Sequence, residues 1–93
     1  MDKQIDIICN YFRTQPVKKA YLFGSYARGD ADYKSDIDLM ADLDEQVGLF
    51  KFISMQIRLE ELLKRKVDLI SSRGISKHIL PFIEKDKKLI YER

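Results

Sequence analysis

The chain has 93 residues, enough for one domain and too few for two, and it is read as a single domain over residues 1–93. Apolar residues make up 45% and charged residues 34%, a balance that excludes disordered and fibrous classes. Seventeen Lys and Arg against 15 Asp and Glu leave a net charge of +2, too even to argue for nucleic-acid binding.

Cys9 is the single cysteine, so no internal disulfide can form. Nothing resembles a signal peptide or an 18-residue apolar run, and a cytoplasmic protein with no membrane partner is expected.

Residues 2–14 carry Ile5, Ile8, Cys9 and Phe12 at helical spacing, with Thr14, Gln15 and Pro16 as the stop. Cys9 therefore reads as a core residue and not as a nucleophile. Val17 to Phe23 reads as a strand ended by Gly24-Ser25, and a turn of helix fits residues 25–28 before Gly29. Residues 36–42 form a second strand, with Ile37, Leu39 and Ala41 alternating.

The stretch from Leu49 to Lys64 is strongly helical, and the pairs Glu60/Lys64 and Glu61/Arg65 have the i,i+4 spacing of ion pairs. Its apolar residues fall in two stripes: Phe50, Ile53 and Ile57, and then Phe52, Met55, Leu59 and Leu62. One must pack on the sheet; the other meets the terminal helices or forms a protein–protein surface. Residues 66–70 read as a third strand, and a last helical stretch around 75–85 is kinked or restarted at Pro81. Leu89-Ile90-Tyr91 fits a short closing strand. The fold class expected is α/β (α+β), a small mixed β-sheet with helices packed on one face.

Three features at strand ends bear on chemistry. Gly24-Ser25 follows an apolar strand, where a glycine admits a bulky anion and a helix turn offers N–H groups and the Ser25 hydroxyl. By itself this is more often an ordinary turn. Asp36 and Asp38 lie two apart on a strand and project to one face. Such a pair repels itself unless a cation intervenes, and Mg²⁺ takes one or two protein carboxylates plus phosphates; the pair also fits two solvated edge residues. Asp68 interrupts a short apolar strand between Val67 and Leu69, a position disfavoured for a carboxylate without a role. Together the three fit two-metal phosphoryl transfer, with two Mg²⁺ ions.

The spacing Gly24-Ser25, then Asp36-x-Asp38, resembles the signature of the polymerase-β-like nucleotidyltransferase superfamily. The string FGSYARGDADYKSDIDLMADLDE, followed by RKVDLI, resembles its minimal nucleotidyltransferase (MNT) family, with similarity from about Tyr21 to Ile70. The resemblance implies that family's fold. Gly24 and Ser25 would hold the triphosphate of ATP, Asp36 and Asp38 would coordinate Mg²⁺, and Asp68 would complete the metal site and help activate an acceptor hydroxyl. Arg28 and Ser35 match positions where the family has the same residue types, Arg28 as a phosphate contact or as a salt bridge to a local Asp. Lys64 departs from the glycine that many relatives carry before the Arg-Lys-Val-Asp-Leu run.

The family further implies an adenylyltransferase that acts as an antitoxin, moving AMP onto a tyrosine of a HEPN-domain toxin partner. A non-catalytic binding module and the catalytic subunit of a small-molecule (aminoglycoside-type) modifier are the rivals. Direct nucleic-acid contact is not expected, and a homo-oligomer is left open. His78, the one histidine, has no partner spacing for a metal site, and the runs 64–66 and 85–88 read as solvated helix ends.

Overall fold

The computed structural model describes residues 3–32 and 34–93. The expected start of the first helix at residue 2, and Tyr33 within the polar run of residues 30–35, lie outside them. In chain order the elements are α1 (Lys3–Phe12), β1 (Val17–Phe23), α2 (Gly24–Arg28), β2 (Ile37–Leu43), α3 (Leu49–Leu63), β3 (Val67–Ser71), α4 (Leu80–Asp86) and β4 (Lys88–Glu92).

The four strands form one mixed sheet in the order β3-β2-β1-β4. β1 runs antiparallel to both β2 and β4, and β2 and β3 are parallel, joined by the crossover helix α3. Each of β2 and β3 begins one residue later than its apolar pattern suggests. The parallel ladder opens at Ile37 opposite Val67, where the Ile37 N–H donates to the Lys66 carbonyl at 3.0 Å.

Alternation sorts the sheet into two faces. Ile37, Leu39 and Ala41 on β2 and Val67 and Leu69 on β3 are buried under α1 and α3, which contribute Ile8, Phe12, Met55, Leu59 and Leu63. Cys9 packs against this core, and its thiol donates to the Ile90 carbonyl at 3.0 Å. Asp38, Met40 and Asp68 alternate with these core residues and so point to the opposite face. There α4 packs on β1 and α2, and its Ile83 is buried apart from the main core.

Three local expectations are corrected. Glu60 does not pair with Lys64; its Oε2 accepts the Val67 N–H at 3.0 Å and fixes the start of β3. Glu61 pairs with Arg58 rather than Arg65, and the Arg65 guanidinium lies 5.2 Å from the Tyr26 ring centroid. The helix predicted over 75–85 is shorter: residues 75–76 are irregular, a turn fills residues 77–79, and α4 begins at Leu80 with Pro81 in its first turn, where the missing N–H costs no helical bond. The end of α3 explains the unusual Lys64, which takes a left-handed conformation at φ 54°, the place where glycine is normally found.

The stripe Phe52, Met55 and Leu59 faces the core. The other is not covered by the terminal helices: Phe50 is 89% exposed, Ile57 52% and Ile53 44%. The contact with the terminal helices is therefore not made.

Candidate active site

β1 ends against β2 with Phe23 opposite Asp38, so Gly24 and Ser25 emerge beside the carboxyl-bearing end of β2. Gly24 adopts φ 73°, a conformation open to glycine. It also leaves room: a Cβ at this position would lie 2.2 Å from Asp38 Oδ2. α2 begins at Gly24, and no side chain caps its amino end. The α2 turn closes where Gly29, at φ 83°, and Asp30 donate their N–H groups back to Tyr26 and Ser25 carbonyls.

Asp38 and Asp68 stand opposite each other in the parallel ladder, and partners in register share a face. Asp36 lies one residue before β2 and is exposed, yet its charge reaches Asp38. Partial burial of the Asp38 carboxyl, followed by the charges of Asp68 and Asp36, raises its pKa above the usual carboxylate range, and Arg28 opposes this in part. The charges of the other two acids thus both act on Asp38. Among the described residues no three carboxylate, thiolate or imidazole side chains are drawn into a closed metal cluster.

The remaining predicted positions have structural partners. Arg28 donates to Asp30 Oδ2 at 3.3 Å and to Asp86 Oδ2 at 2.9 Å, so the salt-bridge alternative is the one observed. The second contact ties α2 to α4 across 58 residues. Ser35 shapes the loop before β2: its Oγ accepts the Asp32 N–H at 3.0 Å, and its own N–H donates to the Asp32 carbonyl at 3.1 Å. His78 lies in the turns before α4, its N–H donating to Ser76 Oγ. Burial pushes the Cys9 thiol up in pKa, the opposite of the shift a nucleophilic thiolate needs.

Pattern reading missed what lies beside Asp68. An open cleft of about 710 Å³ runs from Phe23, Asp68 and Ile70 to the amino end of α3, walled by the segment between β3 and α4. Arg73 anchors that wall, donating to the carbonyls of Leu43 at 3.1 Å and Glu45 at 3.3 Å. The only sequence signal was the apolar character of Ile75 and Ile79, which is equally the signal of a helix face.

A strand-end glycine is thus pressed on the Asp38 carboxylate, with Asp68 beside it in register and the charge of Asp36 within reach. The chain belongs to the polymerase beta nucleotidyltransferase family, whose model matches residues 6–93. It is 41% identical over 68 residues to the protein adenylyltransferase MntA of Thermococcus cleftensis, spanning 69% of each chain. It is 40% identical over 77 residues to a proposed protein adenylyltransferase of Methanocaldococcus jannaschii, covering 81% of this chain and 76% of the relative. The fold matches a toxin–antitoxin crystal structure with AMP-PNP at a TM-score of 0.84, with 23% identity over 96% of this chain and 73% of that one. It also matches, at a TM-score of 0.76 and 21% identity, a chain of a complex between a tri-AMPylated Shewanella oneidensis HEPN toxin and an MNT antitoxin, covering 97% and 71% of the two chains.

Proposed function

We propose that the protein is an antitoxin that transfers AMP from ATP to a hydroxyl on a HEPN-type toxin partner, a tyrosine hydroxyl being what the family resemblance implies. The observation that carries this reading is the register of Asp38 against Asp68 beside a glycine that yields its side-chain space to Asp38. The protein adenylyltransferase name of the Thermococcus cleftensis relative supports the acceptor class, and the AMPylated partner of the Shewanella oneidensis antitoxin supports the pairing.

The donor set suits magnesium: all three side chains are hard oxygen ligands, and the raised pKa of Asp38 marks a carboxylate that a cation would relieve. Asp36 and Asp38 would hold the ion, with Asp68 completing the set. When bound, magnesium supplies charge neutralisation at the transferring phosphate and lowers the pKa of the attacking hydroxyl.

The chain's own groups do the rest. Gly24 lets the triphosphate approach the backbone, and the uncapped start of α2 with the Ser25 hydroxyl orients it. The acceptor oxygen forms a bond to the α-phosphorus while the bond from that phosphorus to the β-bridging oxygen breaks, and pyrophosphate leaves with the electron pair. Asp68, exposed at the edge strand, takes the hydroxyl proton. Arg28 holds the α2 end in place through Asp86.

The test is incubation of the protein and its purified HEPN-type partner with magnesium and α-labelled ATP, followed by intact-mass measurement. A gain of one or more AMP units on the partner, absent with Asp38→Ala, is expected. An unmodified partner whose toxicity is still neutralised would point instead to steric inhibition and overturn the catalytic reading.

A further inference from the structure

We propose that the cleft beside Asp68 is the acceptor subsite, and that it seats an apolar segment of a protein acceptor on Ile70, Ile75 and Ile79. This rests on the nucleotidyl-transfer reading above and adds where the acceptor binds and what selects it. In-line displacement places the attacking oxygen and the departing pyrophosphate on opposite sides of the α-phosphorus. The strand order puts Gly24-Ser25 at the end of β1, the acids of β2 in the middle and Asp68 on β3 at the sheet edge. A triphosphate resting on Gly24-Ser25 therefore leaves the nucleophile to arrive from the β3 side, where the cleft opens.

The lining identifies the occupant. Among the described residues that line it only Asp68 and Arg73 are charged, and Arg73 is engaged by the carbonyls of Leu43 and Glu45. A polycationic sugar would need several free carboxylates, and a nucleic-acid strand a track of free cations. Neither is present in the cleft, whose walls otherwise carry mainly apolar side chains such as Phe23, Ile70 and Ile75. The apolar surface also continues past the mouth. Leu49 and Ile79 line the cleft and are 70% and 53% exposed, and the neighbouring Phe50 is 89% exposed. That surface runs beyond the cleft itself, where a protein segment could follow it.

The experiment compares the wild-type chain with Ile75→Asp and Ile79→Asp, using the purified HEPN-type partner as acceptor and α-labelled Mg-ATP as donor. Circular dichroism melts check the fold, which Ile79 in particular, exposed in the turns before α4, should not govern. Losing one buried apolar contact should raise KM for the partner at least about tenfold. KM for ATP should stay within about twofold, because the triphosphate contacts lie elsewhere. Ile79→Leu should restore the partner KM. An unchanged partner KM in both folded Asp variants, with active wild type, overturns the subsite and leaves the transfer reading standing. A rise confined to the ATP KM also overturns it, because the cleft then seats the nucleoside. No transfer by the wild type overturns both.

Discussion

Asp38 occupies the space that a side chain at position 24 would need: a Cβ there would lie 2.2 Å from Asp38 Oδ2. Glycine and carboxylate are thus parts of one device, which brings the β1–α2 bend onto the acid at the centre of the site. Gly24→Ala must displace that carboxylate and also strain a backbone at φ 73°. Transfer should fall by about 100-fold or more, as a misplacement of about 1 Å can do. Rates of label transfer, set beside a thermal melt showing a folded protein, check this.

Removing the charge at position 38 separates activity from stability. Asp38 has its pKa raised in the folded state, so the folded protein disfavours the ionised form. Its most favourable contribution is present at acid pH, below the unfolded carboxylate pKa, and is lost as pH rises through the raised folded pKa. Without added cation, Asp38→Asn should therefore melt above the wild type at neutral pH, with the gain vanishing in acid. Transfer should be abolished. Melts from pH 3 to 8 read the first effect, and a mutant destabilised at pH 7 would count against the electrostatic account.

Lys64→Gly should be stabilising. A lysine held at φ 54° bears steric strain of about 1 kcal/mol that glycine avoids, offset in part by the greater freedom of glycine when unfolded. A net gain of about 0.5 kcal/mol corresponds to a rise of about 2–4 °C in Tm for a domain of this size. Activity should not change, because Lys64 caps α3 and is not among the residues of the proposed site.

Arg93 closes a bidentate pair on Asp44, at 3.0 and 2.8 Å, and this hydrogen bonding holds the Asp44 pKa below the usual carboxylate range. A depressed folded pKa contributes stability above the unfolded carboxylate pKa, and this is lost as pH falls through the folded value. Arg93→Ala should thus melt below the wild type at neutral pH, and the two curves should converge in acid. High salt should shrink the gap, since the pair is exposed.

The two sides of α3 should respond differently to truncation. Leu59 is fully buried, and Leu59→Ala should cost about 2–5 kcal/mol in urea unfolding. Ile57, 52% exposed two residues away, should cost about 0.5 kcal/mol or less.

Local chemistry determined a good deal of this protein in advance. The alternation of Ile37, Leu39 and Ala41 fixed which way Asp38 must point, because successive strand residues face opposite sides of a sheet. The spacing from Gly24-Ser25 to Asp36-x-Asp38 and on to the Val-Asp-Leu run marked the family. The helical period also separated the two stripes of α3, though it could not say which would be covered.

Only the tertiary structure decided how distant segments meet. Strand order and register set Asp68 opposite Asp38, and no local pattern specifies which strands are neighbours. Arg28 found Asp86 across 58 residues, and Glu60 turned from its helical neighbour to the Val67 N–H. The cleft exists because Arg73 pins one loop to the end of another strand. Periodicity reports the face that a residue presents, whereas partners depend on how the faces are assembled. That assembly is settled by burial summed over the whole chain, which sets Asp38 on a central strand beside Asp68 on the edge strand.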